Sequence, residues 1–330
     1  MDSSQKRLLI AAIEKAIKRE IGAYNFYLKE AVKADYDVAE ALFFHLANEE
    51  EKHKTYLQKE LARFKTIVAD KQKTSGSSDK MGYQIPEFIE LRQNQPLPFI
   101  DMSLVTMPAD MISGDHLETY IIEGKNKSPL LGLFLHDVMG HGEESVHLNS
   151  IIKLWLSKTY ATQDLKDRRI DLCQPEKLLA GLNQHVYKIC HENFKFVTAF
   201  YAIIDYHEKN LIYASAGHEP PILIRKNGEY IHLDQTELVL GGMEDTSYTP
   251  VSVDFELGDV IVLFSDGITE VTNEEDQMFE RDNVISAIKS VHNYSANEIL
   301  NTIINKLKDH VKGQPIQDDF SLAVLKVIKS

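Results

Sequence analysis

The sequence is poor in cysteine, short of positive charge and free of long apolar runs. Among 330 residues only Cys173 and Cys190 are thiols. Their spacing fits no zinc motif, and nothing in it indicates an oxidising compartment. Lys and Arg number 36 against 50 Asp and Glu, a formal net charge of −14, which argues against a nucleic-acid or anionic-membrane surface. Apolar stretches such as Val260–Phe264 have the length of strands, far below the roughly 20 residues of a membrane span. The amino terminus, MDSSQKRLLIAAIEKAIKRE, carries no apolar block of the signal-peptide kind. These absences predict a cytoplasmic globular protein that meets neither nucleic acid nor membrane. The length allows more than one hydrophobic core.

Glycine and proline divide the chain. Residues 5–68 contain one glycine, no proline and a helical pattern. Residues 70–98 include KQKTSGSSDK and QNQPLP, polar and rich in breakers, and read as a linker with one short helix near Pro86–Gln93. From Phe99 onward short β-like runs alternate with turns, among them LLGLFLHDV, KFVTAFYAIID, NLIYASAG, PPILIRK, DVIVLFSD and FSLAVLKVI. Helical patches fall near Ser145–Leu156, Pro175–Glu192, Asp282–Ser290 and Ala296–His310. The expected organisation is therefore a helical hairpin over 1–69, a linker over 70–98 and a mixed domain over 99–330.

The hairpin has a defect in its apolar seam. The first helix lines up Ile13, Ile17, Glu20, Tyr24, Tyr27 and Ala31 on one face. The second, opened by a capping box at Asp37 and Glu40, lines up Phe43, Leu46, Glu50, His53, Leu57, Leu61 and Phe64. Counted from a turn near Asp35–Asp37, Glu20, Glu50 and His53 lie at nearly one level, given a rise of about 1.5 Å per residue. Buried carboxylates at one level with an imidazole need a cation or each other. The alternatives are a metal site and a polar layer that sets register. The run Glu20–Ala23–Phe26–Tyr27 followed by LANEEEKH resembles the rubrerythrin branch of the ferritin-like superfamily. That resemblance implies iron ligands at Glu20, Glu50 and His53. One hairpin supplies only half of a ferritin-like bundle, so it also implies a homodimer with a four-helix bundle and two irons per dimer.

Aspartates recur at the ends of the β-like runs in the second zone. They are Asp115 in SGD, Asp137 in HDVMGHG, Asp266 in LFSDG, and Asp318 with Asp319 in QDDFS. Each alone is an ordinary turn signal. Carboxylates converging from several strands instead make an oxygen-rich site for hard divalent cations. Together with MPADMISGD, FVTAFYAIID, YASAGHEPPIL, LGGM and LGDVIVLFSDGITEVTN, they resemble the PPM (type 2C) metal-dependent protein phosphatases of the bacterial SpoIIE-like branch.

That resemblance implies an α+β fold with a C-terminal α/β/β/α sandwich of two antiparallel sheets flanked by helices. It implies hydrolysis of phosphoserine or phosphothreonine protein by a hydroxide bridging two Mn²⁺ or Mg²⁺ ions. Asp137 would bridge the ions with the Val138 carbonyl as a further ligand, Asp115 would hold one ion, and Asp266 and Asp318 the other. Asp319 would support them, and His141 would protonate the leaving oxygen, although the eukaryotic enzymes place a histidine at a different spacing. His218 reads as structural or substrate-facing. No arginine before Asp115 matches the phosphate-binding arginine of the eukaryotic enzymes. An anti-sigma-factor antagonist is the implied protein substrate. Three functions are therefore in play: a phosphatase regulated by a di-iron sensor of oxygen, peroxide or iron; a phosphatase with a metal-free dimerisation hairpin; and an iron-handling or peroxide-reducing protein with an inactive phosphatase scaffold.

Overall fold

The computed structural model describes residues 99–108, 113–124, 128–140, 143–161, 171–314 and 316–328, with separate positions between 10 and 29 and at 54 and 61. The chain divides into two compact units, Met1–Lys80 and Met81–Ser330. In the first, the described positions, among them Ile17, Ile21 and Phe26, are helical. Glu20, Glu50 and His53 lie outside the described residues, as do the linker and its expected short helix.

The second unit holds two antiparallel sheets. One is ordered β1 (Ile100–Met107), β10 (Phe320–Val327), β9 (Val260–Phe264), β6 (Ile222–Ile224), β7 (Tyr230–His232). The other is ordered β2 (His116–Glu123), β3 (Pro129–Val138), β4 (Val197–Asp205), β5 (Asn210–Ala216), β8 (Val251–Asp254). Helices α1 (Glu143–Ala161) and α2 (Pro175–Asn193) cover the second sheet. Helices α4 (Glu280–Val291) and α5 (Ala296–Val311) cover the first. A short helix α3 (Asp266–Thr269) follows β9 directly.

Side chains alternate between layers with the period of two that a strand imposes. On β10, Phe320, Leu322 and Val324 face α4 and α5, while Ala323, Leu325 and Val327 face the other sheet. On β3, Leu131, Leu133 and Leu135 face the first sheet, while Leu130, Phe134 and Val138 face α1 and α2. Because both faces of these strands are buried, their sequences are continuous apolar runs and not alternating ones. The sandwich of antiparallel sheets between helices is the fold the sequence implied for this unit.

Helix α5 shows how local chemistry fixes an element. Ser295 and Glu298 form a capping box, with Ser295 Oγ accepting from the Glu298 amide and Glu298 accepting from the Ser295 amide. Ala296, Ile299, Leu300, Ile303, Ile304, Leu307 and Val311 then make one buried stripe. The Ala296 amide donates to Asp101 on β1 at 2.8 Å, which docks the helix start on the sheet. Among the described residues no helix is long and apolar enough to cross a membrane.

Asp259, 1% exposed, pins the β6–β9 pair. It accepts from Arg225 Nη1 at 2.7 Å and from the Lys226 and Glu256 amides at 3.0 and 2.9 Å. Replacing it with alanine leaves two amides without their acceptor and breaks the Arg225 ion pair, leaving that guanidinium its bond to the Asp254 carbonyl. Asp259→Ala is expected to lower unfolding stability by about 2–4 kcal/mol. Urea titration checks this, and a loss under about 0.5 kcal/mol, the range of an ordinary surface substitution, would refute it.

Candidate metal centre

The site lies at one end of the sandwich, where β3 and β9 finish and β2 and β10 begin. Asp137 is the penultimate residue of β3 and faces Thr198 on β4. Asp115 stands immediately before β2, whose first residue pairs with His136. Asp266 opens α3 just after β9, and Asp318 and Asp319 lead into β10. All five aspartates singled out from the sequence are thus brought to the same end. His141 lies outside the described residues.

Two hydrogen bonds tie the sheets together here. Ser265 Oγ donates to Asp115 Oδ2 at 2.6 Å, and the Gly114 amide donates to Asp319 Oδ2 in a short bond. Ser265 Oγ itself accepts from the Ser321 amide at 2.9 Å, so β9, β10 and the turn before β2 share one network. Glycine is required at the crossing: a Cβ on Gly267 would land on the Asp319 carbonyl. At Gly114 a Cβ would stand 3.2 Å from the Val138 carbonyl, 3.6 Å from Asp319 Oδ2 and 3.8 Å from the Gly140 carbonyl. Oxygen atoms from three segments therefore converge around the Ser113–Asp115 turn.

A second chain of bonds holds that turn from behind. Asn149 of α1 donates to the Ser113 carbonyl at 2.7 Å, and its side-chain oxygen meets His136 Nε2 at 3.2 Å. With Asn149 oriented this way, Nε2 carries the His136 proton. Burial, followed by the nearby His116, holds the His136 pKa well below its ordinary value, so the ring is neutral.

The carboxylates disturb one another strongly. Asp115 is 2% exposed, and burial, followed by the charge of Asp137, raises its pKa well above the ordinary range. Burial and the charges of Asp266 and Asp318 push Asp137 up to about 7, while a hydrogen bond with Asp115 pulls the other way. Burial, Glu270 and Asp318 push Asp266 up to about 6. No lysine or arginine is among these influences. Carboxylates held together without a counter-cation share protons or share metal ions. Among the described residues no three side chains stand as a finished cation cage. Asp115 and Asp137 instead lie within hydrogen-bonding reach of each other, the arrangement that bound cations would separate. The donors are all oxygen, which suits Mn²⁺ or Mg²⁺.

The structure adds residues that sequence reading passed over. Lys195 Nζ donates to the Met139 carbonyl and to Ser145 Oγ, both at 3.2 Å, and so ties the turn after Asp137 to α1. Arg281 of α4 is paired with Glu219, meets His232 Nδ1 at 2.8 Å and lies over the Phe264 ring. Glu219 in turn acts on Asp266. Neither cation sits in a recognisable motif, so only the fold reveals them. His218 is 3% exposed and meets Thr198 Oγ1 at 3.0 Å, while its Nε2 has no partner in hydrogen-bonding geometry. Burial lowers its pKa to about 4, with a smaller opposing pull from the Phe264 main chain. It is therefore a neutral residue packed beneath the site.

Solved structures place this architecture among PP2C-type domains. The SiaA-PP2C domain of Pseudomonas aeruginosa matches with a TM-score of 0.56 at 16% identity, over 68% of this chain and 85% of that one. RsbX, solved in complex with magnesium, matches with a TM-score of 0.52 at 18% identity, over 73% of this chain and 100% of that one. The chain belongs to the SpoIIE family, whose model, described as Stage II sporulation protein E, matches residues 128–328. The phosphoserine phosphatase RsbU of Bacillus subtilis (strain 168) is 32% identical over 230 residues, 69% of this chain. Those residues span 63% of RsbU, a little under two thirds of its length. A separate family model, Rubrerythrin, matches residues 4–77.

The crowding of the aspartates has a measurable consequence for metal-free protein. The native pKa of Asp137, about 7, lies above the 3.8 of an unstructured aspartate. At pH values below the unfolded pKa both states hold the proton and the group contributes nothing. Between the two values the native state holds a proton that the unfolded chain has released, so stability falls as pH rises. Above the native value the full penalty stands. Asparagine cannot ionise. In EDTA, Asp137→Asn is therefore expected to melt at a higher temperature than wild type above pH 7, with the difference closing towards pH 4. Scanning calorimetry checks this, and equal midpoints across the range would refute the crowding.

Proposed function

We propose that residues 99–330 are a Mn²⁺- or Mg²⁺-dependent phosphatase acting on phosphoserine or phosphothreonine in a protein. The observation that carries this is the convergence of Asp115, Asp137, Asp266, Asp318 and Asp319 at one end of a PP2C-type sandwich in a member of the SpoIIE family. The relative RsbU is a phosphoserine phosphatase, which agrees with it. The magnesium in the RsbX structure agrees with the oxygen donor set found here. An anti-sigma-factor antagonist remains the proposed class of phosphoprotein.

In this reading Asp137 would serve both cations with the Val138 carbonyl as a further ligand, Asp115 would hold one, and Asp266 and Asp318 the other. When bound, such ions lower the pKa of a coordinated water and offset charge on the phosphoryl oxygens. The protein holds the ligands in place. Ser265 fixes one Asp115 oxygen, and Asp319, through its bond to the Gly114 amide, keeps the turn closed. His136 and Asn149 stop that turn from opening.

Purified protein is expected to hydrolyse p-nitrophenyl phosphate and a phosphoserine peptide with added Mn²⁺ and to lose this in excess chelator. Asp137→Asn is expected to lower kcat at least about a hundredfold, because it removes a charge shared by both ions. Full activity in chelator would reject the mechanism, and full activity in Asp137→Asn would reject the residue assignment.

For the amino-terminal unit we propose a dimeric four-helix bundle that binds two irons through Glu20, Glu50 and His53 of each chain and biases phosphatase activity by its redox state. The rubrerythrin match over residues 4–77 supports this, as does the polar break in the hairpin's apolar seam. A coupling of about 1–3 kcal/mol between iron state and the active catalytic conformation would change activity several-fold to a hundredfold. The expected result is two irons per sedimenting dimer and different rates for ferrous, oxidised and iron-free protein at saturating Mn²⁺. A Glu50→Ala/His53→Ala variant should show one rate throughout. Equal wild-type rates with iron bound would leave the bundle as a dimer clamp or an iron enzyme.

A further inference from the structure

His218 lies beneath the aspartate cluster and takes no part in the chemistry proposed above. It belongs to the turn that carries the chain from one sheet to the other. Strand β5 of the second sheet ends at Ala216, and β6 of the first sheet begins at Ile222. This crossing falls at the end of the sandwich where the aspartates gather. Strand β5 finishes beside the start of β4, whose Val197 faces Val138, and Ile222 faces Val262 near the end of β9. Two contacts seat the turn. A bridge joins Gly217 to Ala199 on β4, and the Gly217 amide donates to Thr236 Oγ1 at 2.8 Å.

From this seat the turn reaches both sheets. His218 Nδ1 meets Thr198 Oγ1 at 3.0 Å, and Thr198 stands opposite Asp137 in the register of β3 and β4. Directly opposed residues of an antiparallel pair have neighbouring side chains, with Cβ atoms about 4.5–5.5 Å apart. On its other side the ring lies by the main chain of Phe264, two residues before Asp266, which favours a proton on the ring. A neutral imidazole has one donor and one acceptor. With the proton on Nε2 towards Phe264, Nδ1 accepts from the Thr198 hydroxyl. The next residue, Glu219, is paired with Arg281 of α4, and its charge acts on Asp266.

Histidine is a costly choice at this place. It is 3% exposed, and its Nε2 has no partner in hydrogen-bonding geometry. A buried polar atom left unpaired lowers stability, and leucine, of similar volume, would avoid that loss. Leucine could not hold Thr198. A residue that is unfavourable for folding and stands between two ligand-bearing strands makes sense through the ligands.

We propose that His218 is a positioning residue of the cation site. As a strut from Thr198 to the β9 main chain, it sets the spacing between Asp137, beside Thr198, and Asp266, just beyond β9. The Ser265–Asp115 bond ties the sheets at Asp115, and His218 is the corresponding tie at Asp137. The inference rests on the phosphatase reading above and adds a residue that tunes how tightly that same site holds its cations.

The test uses full-length protein carrying Glu50→Ala/His53→Ala, so that Mn²⁺ uptake reports the aspartate cluster and not the amino-terminal unit. Titration calorimetry gives the Mn²⁺ affinity, and scanning calorimetry in EDTA gives the metal-free melting temperature. His218→Leu is expected to bind Mn²⁺ about tenfold more weakly than this parent. Its metal-free melting temperature should fall by no more than about 5 °C, or rise, because the unpaired buried nitrogen is gone. Thr198→Val cuts the same tie from the other end. It should weaken binding too, and the double variant should bind no more weakly than His218→Leu alone. His218→Gln keeps a donor and an acceptor and should stay within about threefold of the parent, less than the loss of such a partner brings. Unchanged affinity in His218→Leu, or additive losses in the double variant, overturns the strut and leaves the phosphatase reading intact. Weaker binding with a larger fall in metal-free melting temperature makes His218 a packing residue and overturns it as well. Should His218→Leu not fold, the other two single variants decide. Loss in Thr198→Val with retention in His218→Gln supports the strut, and any other pattern overturns it. A parent that neither binds Mn²⁺ nor hydrolyses p-nitrophenyl phosphate with it rejects the phosphatase reading, and the positioning role falls with it.

Discussion

The repulsion among buried carboxylates is the constraint on which the working end of the domain depends. Asp115 is almost wholly enclosed beside Asp137, with Asp266, Asp318 and Asp319 adjoining. Left to itself such a cluster would push its segments apart or take up protons. The surrounding structure resists separation. Ser265 grips Asp115 from the opposite sheet, the Gly114 amide grips Asp319, and the absence of a side chain at Gly267 lets α3 press against the Asp319 backbone. Asn149 and His136 brace the same turn from α1 and β3. The two sheets and their helices thus hold like charges together against their mutual repulsion.

The buried strands were the easiest part of the sequence to read. LLGLFLHDV, FVTAFYAIID and FSLAVLKVI are long because both their faces are covered, and the helical patch at Ala296–His310 is α5. Strands with one wet face were harder. In β2, His116, Glu118 and Glu123 interrupt the apolar residues, and in β7 all three residues are exposed. Neither run separates from loop by composition alone, because its pairing comes from distant partners.

Asp137, Asp266, Asp318 and Asp319 were visible because each adjoins a strong strand, and Asp115 because it ends the SGD turn. Their convergence follows from antiparallel topology, which puts the ends of β3 and β9 beside the starts of β2 and β10. The supporting residues were not visible. Ser265, Asn149, Lys195 and Arg281 are ordinary letters in their own segments, and the partners that tie them to the site lie 36 to 150 residues away. A pattern search finds residues that are unusual where they stand, whereas these are significant only for what they meet.

The balance of charge also bears on how such a site meets its substrate. The chain is acidic overall, with a formal net charge of −14, and its cluster of aspartates would repel a phosphate dianion. Among the described residues, the two cations whose contacts near the site are given above are already engaged. Lys195 is bound to a carbonyl and a hydroxyl, and Arg281 to Glu219 and His232. Attraction for phosphate must then come from the divalent ions themselves, which reverse the local field when they bind. Metal occupancy in the proposed site would therefore govern substrate binding as well as chemistry. In the proposed phosphatase, specificity between phosphoproteins would fall to contacts outside the cluster, because the ions would see only the phosphoryl oxygens common to every substrate.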